Sequence, residues 1–372
     1  MTRLRAIVVQ ISWAIAAGFL ASWLQVPVGW LLGPMMVGVV YISTRQQAKP
    51  LPPFFMTSAK ALLGVATAVR FSPETLTFAV SYAVPVVLCI AITASLSLFY
   101  GYLLSRWSDV DQTTGLLSFI PGMASTIVAL GEEMGADAVA IALLQYIRVI
   151  LVVLIIPNLA KLLLADSATI SATMLDSSLT LSVRSETISL VHLSIGAVLL
   201  NSLIVLSCCT LGGWIGRLLK LPASGYLGSF ILGLGVFWLS PAAPYVPQWL
   251  FTTALLFVGL SIGLKFNWKA AQKLWKAVLI DIALVVVLSL MCLGIGYAFH
   301  LITQVDTVTS VLGFTPGGIE AMIATVMELG GDTGLVLAMQ LTRMLLIILL
   351  GPGLIAFFTR KKAQTLSGEL PR

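Results

Sequence analysis

The chain has 372 residues, of which 59% are hydrophobic and only 10% charged, with a formal net charge of +6. Soluble globular chains are typically about 25% charged, so the composition excludes a soluble enzyme or DNA-binding domain and indicates an integral membrane protein. The positive charge forms no nucleic-acid surface, because Lys and Arg fall in short clusters at the ends of apolar stretches, where they orient a protein in a bilayer.

Taken in order, the apolar pattern predicts helices at roughly 6–24, 28–44, 54–71 and 76–105, an interrupted segment near 113–131 and a helix near 137–163. A polar linker, Asp166–Glu186, is too short to fold alone. A second series follows at roughly 188–217, 223–241, 246–265, 276–301, 308–327 and 334–358. The expected division is a first membrane repeat over 1–165, a linker over 166–187 and a second membrane repeat over 188–372. The opening MTRLR and its apolar run resemble a signal peptide. However, Pro27, Leu32, Gly33 and Gly38 match Pro222, Leu227, Gly228 and Gly233 at a constant offset of 195. The first segment is therefore expected to stay as a transmembrane helix. Cys89, Cys208, Cys209 and Cys292 lie in apolar runs without CxxC spacing, as small buried hydrophobes do.

The same offset is strongest at the interrupted segments. Pro121-Gly122, Glu133, Asp137, Gln145 and Arg148 recur as Pro316-Gly317, Glu328, Asp332, Gln340 and Arg343, and the second break is widened by Gly318. Proline and glycine end a helix. Such a break is tolerated at membrane depth only where protein or a water-filled cavity satisfies the backbone. If each interrupted segment enters and leaves on one side, each half has five spans and the second half is inverted. The charges favour that arrangement. With the N-terminus cytoplasmic, Arg70, Lys161 and Arg184 alone face outward, Arg148 and Arg343 stay in the membrane, and the remaining cations, Lys60 among them, face inward. The expected fold is an all-α polytopic membrane protein of two inverted repeats, each of about five transmembrane helices with a re-entrant or broken Pro-Gly segment.

Pro121, Gly122, Pro316, Gly317 and Gly318 are candidate solute-binding residues, because the helix restarting after each break presents free amides and a positive dipole end. The competing reading is a kinked spanning helix with no ligand. Gln145 with Arg148, and Gln340 with Arg343, stand three residues apart on one helix face, where a carboxamide and a guanidinium can hold a carboxylate. Alternatively each arginine pairs with Glu133, Glu328, Asp137 or Asp332 and only fastens its segment. Asp137 and Asp332 begin helices and suit capping. Glu133, Glu328 and Glu320 are candidate proton-relay or coupling residues; Glu320 and Asp281 occur only in the second half, opposite Ser125 and Val86. His192 and His300 are isolated, and no GxSxG, Walker or dinucleotide motif occurs, so no enzyme activity, cofactor or metal is expected.

LLGPMM at Leu31–Met36, PGMASTIVALGEEMGAD at Pro121–Asp137, LLQYIRV at Leu143–Val149 and PGGIEAM at Pro316–Met322 resemble the bacterial AbrB-type membrane protein family, which is built from two homologous membrane domains. The resemblance covers essentially the whole chain. It implies a multi-pass protein of the bacterial inner membrane, and family members carry labels as regulators of gene expression or as ammonia monooxygenase. The layout also resembles that of two-hydroxycarboxylate carriers. The expected function is a secondary transporter of a small anionic organic solute by alternating access, with H+ or Na+ as coupling ion. The alternative is a membrane-embedded sensor or regulator that influences gene expression through a partner, without binding DNA itself. The bilayer, the solute and a second copy in a homodimer are the expected partners.

Overall fold

The structure, a computed structural model, describes residues 3–44, 51–71, 77, 81–121, 124–162, 195–221, 224–239 and 246–346. The linker over 166–187 and the expected helix end at 347–358 lie outside the described residues. Regular structure among the described residues is helical. The first half forms α1 (Arg3–Trp23), α2 (Gly29–Thr44), α3 (Pro53–Val69), α4 (Ala83–Trp107), α5 (Gln112–Phe119), α6 (Ala124–Glu133) and α7 (Ala138–Leu162). The second forms α8 (Ile195–Leu218), α9 (Ser224–Leu239), α10 (Gln248–Gly263), α11 (Trp268–Lys273), α12 (Trp275–Thr303), α13 (Thr307–Phe314), α14 (Ile319–Leu329) and α15 (Thr333–Leu346).

The helix bounds follow the sequence offset. α2 and α9 correspond to the residue, as do α5 and α13. The short helix α11 has no place in the sequence-based series; Asn267 caps it by accepting from the Ala270 amide at 3.1 Å. Among the described residues α4, α7 and α12 are long and apolar enough to cross a membrane, and six further apolar helices are shorter. Trp13, Phe19 and Trp23 on α1 are largely exposed, an arrangement suited to lipid rather than water. The protein is a helical membrane protein.

Two sets of helices pack. In one, α1 lies on α2 and α8 on α9, while α2 packs on α10 and α3 on α9. Glycines let these backbones touch: a Cβ on Gly259 would collide with the Leu31 carbonyl, and one on Gly64 with the Tyr226 carbonyl. Gly263 meets Met35 and Gly38, so α2 and α10 run parallel. α3 and α9 also run parallel, with Gly225 against Thr57 and Gly233 against Ala68. Thr67 Oγ1 and the Tyr226 hydroxyl, 3.0 Å apart, satisfy each other in that contact. In the other set α4 packs on α12, with α5 against α4 and α13 against α12.

Corresponding helices of the two halves run antiparallel where they touch. In the α3–α10 pair, the Phe55 ring near the start of α3 lies 4.9 Å from the Phe257 ring in the second half of α10. At the other end Val69 and Arg70 share a cleft with Gln248 and Phe251. In the α4–α12 pair, Tyr82 meets Phe299 at 6.3 Å, and the Tyr100 hydroxyl donates to Met291 Sδ at 3.1 Å. Asp109 reaches Lys276 at 4.0 Å.

Candidate functional site

Each interrupted segment ends beside the residues that begin it. Asp111 caps α5 by accepting from the Thr114 amide, and Thr114 Oγ1 accepts from the Asp137 amide, both at 3.0 Å. The chain thus leaves Thr114, breaks at Pro121 and returns to within one hydrogen bond of its start. The second segment repeats the device. Asp306 accepts from the Thr309 amide at 3.0 Å, and Thr309 Oγ1 accepts from the Asp332 amide at 2.8 Å. The Asp-x-x-Thr pairs at 111–114 and 306–309 carry the same 195 offset, so this tie is legible in sequence. Asp137 and Asp332 cap α7 and α15 as expected, accepting from the Ala140 and Leu335 amides at 3.0 Å.

The glutamines and arginines face the breaks. A helix end leaves its last four carbonyls without partners. At the end of α5, Gln145 Nε2 donates to the carbonyls of Leu117 at 2.8 Å and Ile120 at 3.2 Å. Arg148 Nη1 donates to those of Ser118 at 3.4 Å and Phe119 at 2.9 Å, and its Nη2 to Gln145 Oε1 at 2.7 Å. At the end of α13, Gln340 donates to Leu312 and Thr315 at 3.1 and 3.2 Å. Arg343 Nη1 donates to Phe314 at 3.5 Å and Thr315 at 2.8 Å, and Nη2 donates to Gln340 Oε1. Each guanidinium therefore neutralises the negative end of a short helix dipole.

All four side chains are buried, Gln145 and Gln340 fully and the arginines to within 3–5%. Neither arginine ion-pairs with a carboxylate among the described residues. The fastening role was the alternative reading of the arginines, but its partners are backbone carbonyls, not the acids proposed. Arg148 Nε and Asp281 Oδ2 are buried without a hydrogen-bond partner among the described residues.

Pro121 and Pro316 are buried; Gly122 lies outside the described residues. The Gly317 amide donates to the Thr315 carbonyl at 2.9 Å, and Gly318 precedes α14 without a side-chain cap. The three acidic candidates separate. Glu133 is exposed at the end of α6. Glu328, at the far end of α14, accepts from the Val28 amide at 2.6 Å, tying the hairpin to the α1–α2 turn. Glu320, in the first turn of α14, pairs with Lys60 Nζ on α3 at 2.7 Å, with the side chains 15% and 25% exposed. Lys60 is thus no loop lysine, as its place among the inward-facing cations implied: it lies mid-helix at the contact between the two helix sets. Just beyond the end of α10, Lys265 stands over the Tyr146 ring at 5.6 Å. Burial, together with the neighbouring Lys60 cation, holds its ammonium below the usual lysine range.

A cleft of ≈ 740 Å³ lies where the sets meet, lined by Trp30, Val69, Arg70, Lys161, Phe251 and Glu328 among others. Lys161 donates to the Gln25 carbonyl at 2.7 Å.

The chain matches, over residues 30–359, the family model described as "Transition state regulatory protein AbrB". The chain belongs to the AbrB family. Two relatives match over nearly the whole chain. It is 27% identical over 351 residues to "Putative regulator AbrB" of Escherichia coli (strain K12), covering 94% of each chain. It is also 26% identical over 365 residues to "Uncharacterized protein YhjN" of Bacillus subtilis (strain 168), covering 91% of this chain and 89% of that one. No solved structure matches.

Proposed function

We propose that this AbrB-family protein is a secondary carrier of a small organic anion in a bacterial inner membrane, working by alternating access. The observation that carries this reading is that helices equivalent at the 195 offset touch in antiparallel pairs, α3 with α10 and α4 with α12, while each hairpin returns to its own start. That supports two inverted repeats, over 1–165 and 188–372, each of five spans and one re-entrant hairpin, a plan recurrent in secondary transporters. α1–α3 with α8–α10 form one bundle, and α4–α7 with α12–α15 the other; transport moves one against the other. With the N-terminus cytoplasmic, the cleft beside Arg70 opens outward, and the Lys60–Glu320 pair closes the contact beneath it. Arg148 and Arg343 hold the breaks open and set a positive potential at depth. Glu320 is the candidate coupling group. A homodimer remains the proposed assembly.

The second reading, a membrane sensor or regulator acting through a partner, draws on the family description and the name of the Escherichia coli relative. Purified protein in liposomes separates the two. A carrier accumulates labelled organic anions unaided, whereas a sensor binds them without uptake, and absence of uptake across a panel of carboxylates would refute the carrier.

A further inference from the structure

At the α1–α2 turn, charged side chains of one bundle hold the backbone of the other. Glu328, in the last turn of α14, accepts from the Val28 amide at 2.6 Å, and Lys161, at the end of α7, donates to the Gln25 carbonyl at 2.7 Å. All four residues line the cleft. Val28 is 1% exposed, and its amide has no other acceptor among the described residues. Withdrawing Glu328 would therefore leave a buried donor unsatisfied.

The turn is also strained. Gln25 and Val28 have φ of 57° and 53°, in the left-handed region that a β-branched side chain disfavours. Gln25 belongs to the helix end itself: its amide donates to Ser22 and the Val26 amide to Ala21, both at 3.0 Å, a Schellman closure of α1. Val28 lies beyond that closure, and the bond from its amide to Glu328 holds it in the strained conformation.

The end of α8 is built in the same way. Lys220, at the offset position of Gln25, has φ of 51°; its amide donates to Arg217 at 3.1 Å and the Leu221 amide to Gly216 at 2.9 Å. Glu133 stands at the offset position of Glu328. Yet Glu133 is exposed and accepts no hydrogen bond or ion pair among the described residues, and Lys220, also exposed, has no carboxylate partner there. One glutamate is engaged and its equivalent is free. With the N-terminus cytoplasmic, the clasped turn faces outward and Lys220 faces inward.

We propose that the two glutamates are alternating latches. Glu328, with Lys161, clasps the outer turn in the present arrangement; in the opposite arrangement Glu328 lets go and Glu133 clasps the end of α8, where Lys220 supplies its counter-ion. The inference rests on the inverted-repeat carrier reading, in which exchanging the conformations of two equivalent halves turns a protein open to one side into one open to the other. Strain at Val28 is part of the device, because its relief offsets the loss of the Glu328 bond and keeps the clasped state from becoming a trap. Lys161 has no counterpart, since Ala356 stands at its offset position, so the second point of attachment favours the outer latch at rest.

The test is cross-linking in membranes, in a background lacking the four native cysteines and carrying a protease site in the linker over 166–187. Val28→Cys with Glu328→Cys reports the outer latch, and Glu133→Cys with Lys220→Cys the inner one. A short bismaleimide bridges each pair, and a bridged chain keeps its halves joined after cleavage. Both pairs are expected to link. Glu328→Ala raises the yield of the inner pair severalfold. Val28→Gly, which takes the left-handed conformation without strain, lowers it severalfold, and it carries the test if Glu328→Ala does not fold. A purely structural contact predicts an outer pair that links and an inner pair that does not, and that result overturns the proposal. So does an outer pair that fails to link, or inner linking that neither variant changes. Linking in this pattern without uptake of labelled carboxylates in liposomes removes the carrier and leaves the latches. Uptake that persists with the outer pair fully bridged removes the latches and leaves the carrier.

Discussion

Replacing Arg343 by Gln tests whether the guanidinium holds the second break. The substitution removes the donor to Thr315 at 2.8 Å, the long contact to Phe314 at 3.5 Å and the bond to Gln340 Oε1. Hydrogen bonds from a charged group contribute about 1.5–3 kcal/mol each, so the two firm ones amount to about 3–6 kcal/mol. Against this, removing a cation from membrane depth relieves about 2.5–3.5 kcal/mol. The expected net loss of stability is about 1–2 kcal/mol. The sharper readout is coupling, because Gln340 Nε2 donates to the same Thr315 carbonyl at 3.2 Å. Side chains in one network couple by about 0.5–3 kcal/mol. A double-mutant cycle of Arg343→Gln and Gln340→Leu, read by reversible unfolding in mixed micelles, should show about 1 kcal/mol of non-additivity. Additive effects, or a single mutant as stable as wild type, would refute the claim that this arginine fastens the hairpin.

Other perturbations follow from the same contacts. Thr309→Val leaves the Asp332 amide without its acceptor and should cost about 1–3 kcal/mol, seen as faster proteolysis between α13 and α15; Thr114→Val should do the same in the first half. Gly64→Val drives a side chain into the Tyr226 carbonyl and should cost about 1–3 kcal/mol or more as the helices separate, measured by loss of a monodisperse species in size-exclusion chromatography. A cysteine at Ser177, outside the described residues, in a background lacking the four native cysteines should react with a membrane-impermeant thiol reagent in intact cells. Labelling only after permeabilisation would put the two halves in the same orientation and remove the inverted-repeat reading.

The offset of 195, the paired Pro-Gly breaks and the Gln-x-x-Arg faces are visible in the chain, because a duplication preserves spacing and because proline, glycine and buried charge have few uses in apolar sequence. Helical spacing also placed Gln145 beside Arg148 and Gln340 beside Arg343. What spacing cannot choose is a partner. Carbonyls belong to every residue and leave no mark in sequence, so the carboxylates Glu133 and Glu328 looked like natural mates for the arginines, while folding aimed them at Ser118, Phe119 and Thr315. Lys60 shows the same limit more plainly. The charge count places it with the inward-facing cations, and only packing of α3 against α14, 260 residues apart at the Lys60–Glu320 contact, gives it a counter-ion. The sequence by itself determined a duplicated, apolar, helical chain with two broken segments, since those properties are local. The antiparallel meeting of equivalent helices, the cleft beside Arg70 and the ion pair beneath it were decided by tertiary structure, since each depends on which distant backbones the glycines allow to touch.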